Sequence, residues 1–126
     1  MSRSPEEIML EWLYWHHVVE YMKQDLPKLE AADSLRFPLF AGWVLRQLGS
    51  QAYAKEQEAA KELRTNGIRF VKEKVDRGEV FVVWSHRGNT DIFRIREREL
   101  QAEAQKKIDE LMALMIEQKQ GEPPRE

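Results

Sequence analysis

The chain has 126 residues, 42% apolar and 33% charged, with a net charge of −2 and no cysteine. That length supports one hydrophobic core without help from disulfides or metal, and the lack of cysteine excludes disulfide scaffolds, thiolate metal centres and cysteine nucleophiles. The first apolar stretch, IMLEWLYWHHVVEYM, is broken by Glu11, His16, His17 and Glu20. It fits neither a signal sequence nor a membrane span, so the expectation is a cytoplasmic protein without a membrane partner.

In chain order, the opening segment carries a strong helix start. Ser4 suits the cap, Pro5 the first turn, and Glu7 stands three residues after Ser4 as in a capping box. Ile8, Trp12, Trp15, Val19, Met22, Leu26 and Leu29 follow at alternating steps of four and three, and Leu13, Tyr14, Val18 and Tyr21 widen that stripe. Pro27 predicts a bend or an end. A second helix is expected from Pro38 through FAGWVLRQL to Gly49, and a third from Ser50 through QAYAKEQEAAKELR to Asn66-Gly67. The segment IRFVKEKV places Ile68, Val71 and Val75 at helical spacing. Its flanks, Asn66-Gly67 and Asp76-Arg77-Gly78, are turn chemistry, and they favour a strand.

VFVVWSHRGNTDIFRIR then reads as a β-hairpin. A two-residue type II′ loop at Gly88-Asn89 sets Arg87 opposite Thr90, His86 opposite Asp91, Trp84 opposite Phe93 and Phe81 opposite Arg96. Alternation puts Val80, Val82, Trp84, Phe93 and Ile95 on a core face. Phe81, Val83, Ser85, Arg87, Ile92, Arg94 and Arg96 fall on the other, where arginine stems can cover the apolar side chains and Arg96 can stack on Phe81. Leu100, Ala104, Ile108, Leu111 and Met115 form the stripe of a last amphipathic helix. The expected fold is α+β: N-terminal helices, a small antiparallel β-meander or hairpin, and a long C-terminal helix. Residues 1–120 are read as one domain, and 121–126, GEPPRE, as a disordered polar tail.

Three helices, a hairpin and a long helix resemble the chain order of winged-helix dimers, with Gly49 as the turn and the third helix as reader. That helix sets Lys55, Lys61 and Arg64 against Glu56, Glu58 and Glu62, so glutamates would face phosphate. The hairpin is therefore the better nucleic-acid or anion-binding element, through Arg87, Arg94 and Arg96. Charge agrees with that choice. Residues 1–36 carry −3, 37–58 are neutral, 59–99 carry +3 and 100–126 carry −2.

Catalytic readings fail on geometry. Ser85 and His86 point to opposite faces of a strand, so Ser85, His86 and Asp91 do not make a triad, and His86 with Asp91 reads as a cross-strand ion pair. His16, His17 and Glu20 share one helical turn, but adjacent histidines diverge by about 100°, so no metal site is assigned. No phosphate-cradling glycine motif is present, and no cofactor or small-molecule substrate is called. The leading expectation is a non-enzymatic cytosolic interaction or regulatory module, self-associating as a homodimer or binding a protein partner through its amphipathic helices. The alternative is a nucleic-acid-binding protein of winged-helix-like layout. Apolar residues on both faces of 80–84 call for cover on both sides, from helices or from a second copy.

Overall fold

The computed structural model describes residues 3–30 and 38–121, leaving the side chains of 25–30, 38–44 and 116–121 outside that description. The described residues form α1 (Pro5–Glu30), α2 (Pro38–Thr65), β1 (Ile68–Asp76), β2 (Glu79–His86), β3 (Asn89–Arg96) and α3 (Glu97–Gly121). The fold is α+β, with one antiparallel sheet of order β1-β2-β3. The side chains of Leu26, Leu29 and Trp43, and the tail beyond Gly121, fall outside that description.

α1 begins as its cap predicts: the Glu7 N–H donates to Ser4 Oγ at 3.2 Å and the Ile8 N–H to the Ser4 carbonyl at 3.0 Å. The helix continues through Pro27 to Glu30. It is the hub of the molecule. Toward the sheet, Ile8, Met9 and Leu13 pack with Leu63, Ile68, Val80, Val82, Trp84 and Leu100. Toward the helices, Trp15, Val18 and Val19 pack with Leu48, Ala52, Ala59, Ala104 and Leu111. Polar contacts reinforce both sets. Lys107 of α3 reaches both Glu11 carboxylate oxygens at 3.0 and 3.1 Å and lies 4.9 Å from the Trp15 ring centroid, while Trp15 Nε1 donates to Glu11 Oε1. Arg3, just before α1, pairs with Glu62 of α2.

Gly49-Ser50 does not divide α2, which is one helix from Pro38 to Thr65. The predicted stop and cap therefore do not form, and neither does a helix-turn-helix at Gly49. The residues after Ser50 explain why: alanines and long straight side chains propagate a helix strongly enough to absorb the roughly 1 kcal/mol cost of one interior glycine. The true end is Asn66-Gly67, where Gly67 takes φ 69° and its N–H donates to the Arg64 carbonyl.

Both hairpin turns are Arg-Gly. Arg77-Gly78 joins the Asp76–Glu79 pair and Arg87-Gly88 joins the His86–Asn89 pair. All four turn residues have positive φ, 51° at each arginine, 78° at Gly78 and 86° at Gly88, as a type I′ turn requires. The second loop therefore sits one residue before the Gly88-Asn89 expected from sequence, with glycine second rather than first. Phe93 now faces Val82, Asp91 faces Trp84 and Arg94, not Arg96, faces Phe81. His86 lies opposite Asn89, so the predicted His86–Asp91 cross-strand pair is not made. A slide of two positions preserves side-chain parity, so the two faces keep the strand residues predicted for them, while Arg87 leaves its face for the turn.

The two turns are anchored at opposite ends of the sheet. The Arg87 N–H donates to the Gly67 carbonyl at 2.9 Å, tying the second turn to the end of α2. The Glu97 N–H donates to the Gly78 carbonyl at 2.9 Å, tying the first turn to the start of α3.

Candidate functional site

One sheet face is covered. Val80, Val82 and Trp84 are buried there, and Phe70, Phe93 and Ile95 pack at its margins. Trp12 of α1 packs on it through Phe70, with ring centroids 5.0 Å apart. The other face holds Phe81, Val83 and Ile92, and these belong to neither core cluster among the described residues. Ile92 is 60% exposed.

β1 supplies what the hairpin alone lacks. Asp76 pairs with Glu79, Lys74 with Phe81 and Lys72 with Val83; the register then shifts at Val71, and Arg69 pairs with Ser85. With strict alternation, Ile68 and Phe70 would share a face with Lys72 and Lys74. The bulge at Val71 separates them. Ile68 and Phe70 go to the covered face, followed by Glu73 and Val75, while Arg69, Lys72 and Lys74 go to the open one. β3 adds Arg96 opposite Glu79, Arg94 opposite Phe81, Ile92 opposite Val83 and Thr90 opposite Ser85.

The open face thus gathers five cations (Arg69, Lys72, Lys74, Arg94 and Arg96) against two carboxylates, Asp76 and Glu79. All five cationic residues are exposed. They flank the central strand in two lines, with partly exposed Phe81 and Val83 between them. Arg94 approaches Glu79 at 3.8 Å with its side chain 71% exposed, a contact too loose and too solvated to neutralise it. The whole chain is −2, so this +3 face is a local reversal of sign.

Of the three arginines singled out from sequence, Arg94 and Arg96 lie in this array. Arg87 does not; it sits at the turn roughly 20 Å along β2 from the level of Phe81, its Cγ near Gly67. Arg69, Lys72 and Lys74 were missed because the bulge hides their parity. Ser85 is on the open face with Thr90, while His86 is on the covered one, so the strand keeps hydroxyl and imidazole apart.

The helix-1 histidines turn to different elements. His16 Nδ1 lies 3.3 Å from Glu56 Oε2 of α2 and stacks on Trp12 at 4.8 Å. His17 Nε2 lies 2.9 Å from Glu73 Oε2 of β1. Glu20 instead pairs with Lys23 at 3.5 Å. Among the described residues no three His, Cys, Asp or Glu side chains are grouped to hold a metal ion. The two histidine pairs are struts between elements, and their carboxylates lie too far along the chain to be paired by spacing.

Fold and face together define an α+β domain with an open, cationic, three-stranded sheet. The chain belongs to the YhjD protein family, whose model matches residues 2–116. No curated protein matches it, and no solved structure does. Among the described residues no helix is long and apolar enough to cross a membrane.

Proposed function

We propose that the protein is a non-enzymatic binding module whose open sheet face takes nucleic acid. The observation that carries this reading is the array of Arg69, Lys72, Lys74, Arg94 and Arg96 around Phe81 and Val83. Two copies stacked through this face would bring like charges together, which disfavours the second copy as its cover. A polyanion meets the same array with charge complementarity and gains further by releasing its counterions.

Binding of labelled oligonucleotides tests the reading. With up to five phosphate contacts, affinity is expected to fall about 100-fold between about 50 and 200 mM salt. The double variant K74E/R94E should lose most of the affinity and flatten the salt slope. Binding that ignores salt, or that survives the double reversal, counts against the site.

Self-association through the helices is the second reading. Met112 and Leu114 of α3, 42% and 48% exposed, are the observation that favours it. Sedimentation at micromolar concentration is expected to give twice the monomer mass, and a monomer at every concentration sets this reading aside.

A further inference from the structure

We infer that the open face is shaped for a single-stranded nucleic acid, with Phe81 as a platform for base stacking. The inference rests on the nucleic-acid reading above and narrows its ligand.

Width is the first argument. Neighbouring strands lie about 4.8 Å apart, so the cationic lines on β1 and β3 stand about 10 Å apart before their side chains are added. A duplex major groove of about 12 Å admits a helix or a two-stranded ribbon, and a three-stranded sheet carrying arginines and lysines exceeds it. A duplex could meet this face only with its phosphate ridges, leaving Phe81, Val83 and Ile92 against a charged backbone.

The composition across the face is the second argument. Lys74, Phe81 and Arg94 form one row across the three strands, and Lys72, Val83 and Ile92 form the next. An apolar centre between cationic margins matches a single strand, whose bases have exposed π-faces and whose phosphates run alongside. Open antiparallel sheets with surface aromatics read unpaired bases in this way. Ser85 and Thr90, paired in the last row beside Arg69, add hydroxyls that can bond base edges or sugars. β2, at 8 residues, is about 26 Å long and gives room for about four nucleotides.

An acidic peptide satisfies the cations but not the aromatic centre, so stacking is the property to measure. The experiment is fluorescence anisotropy on the full chain with four probes: mixed-sequence single-stranded DNA, single-stranded RNA, a DNA duplex of the same sequence, and poly-glutamate. Wild type is compared with Phe81→Leu, which keeps apolar bulk without a π-face, and with Phe81→Tyr, which keeps the ring. Far-ultraviolet circular dichroism checks the fold of each. At least one single-stranded probe is expected to bind about tenfold or more tighter than duplex or poly-glutamate. Phe81→Leu should lose about tenfold on that probe alone, with Phe81→Tyr restoring it.

Equal or tighter binding of duplex or poly-glutamate overturns the inference, as does single-strand binding unchanged in a folded Phe81→Leu. If Phe81→Leu does not fold, Phe81→Tyr and the wild-type preference among probes decide alone. In each of these cases salt-dependent binding still leaves the broader cationic-face reading standing. If no nucleic-acid probe binds at low salt, both fall.

Discussion

His17 Nε2 and Glu73 Oε2, 2.9 Å apart, join α1 to β1 on the covered side of the sheet. The bond to His17 holds the Glu73 carboxyl below its ordinary value of 4.5; burial opposes that effect, and the charges of His17 and His16 add to it. A group whose folded value is depressed stabilises the protein above its unfolded value and loses that contribution as pH falls through the folded one. Glu73→Gln is therefore expected to lower stability by about 1 kcal/mol near neutral pH. The gap from wild type should narrow below about pH 4.5. Urea midpoints across that range check it, and a gap that stays constant with pH contradicts the role given to Glu73.

Gly49 lies inside α2, and a Cβ added there meets nothing within 4 Å. Gly49→Ala should therefore stabilise the protein by about 0.5–1 kcal/mol, by removing backbone freedom from the unfolded chain. A turn with a left-handed glycine at this position would give the opposite sign. Thermal unfolding thus tests the continuity of α2 directly.

The Arg-Gly turns make a paired prediction. Arg77 adopts φ 51° at the first turn position, where a type I′ turn prefers asparagine. Arg77→Asn is expected to raise stability by about 0.5 kcal/mol. Gly88→Ala, at φ 86°, should lower it by about 1 kcal/mol or more. Denaturant midpoints separate the two. A neutral Gly88→Ala would contradict the left-handed conformation given to Gly88 in this turn.

Those turns explain what the sequence made legible and what it hid. Alternation along Val80, Val82 and Trp84 identifies the core face whatever the turn, because moving the loop by one residue changes pairing by two and keeps parity. The loop itself was misplaced because arginine is an unusual first residue for type I′, whereas Gly-Asn suits type II′. β1 is the harder case. Its bulge at Val71 gives Ile68, Val71 and Val75 a helix-like spacing and conceals that Arg69, Lys72 and Lys74 share a face. Gly49 misled in the other direction, since a lone glycine followed by serine looks like a stop and a new cap. The contacts His16–Glu56 and His17–Glu73 span 40 and 56 residues, and no local pattern announces such pairs.

Binding of nucleic acid on the open face of the sheet is the central proposal. Titrating a short single-stranded oligonucleotide into isotope-labelled protein, and following backbone amide shifts, tests it most directly. The predicted result is a set of perturbations concentrated at Arg69, Lys72, Lys74, Phe81, Val83, Ile92, Arg94 and Arg96, with α2 beyond Ser50 unmoved. Perturbations centred on α2 or α3, or none at low salt, would contradict it.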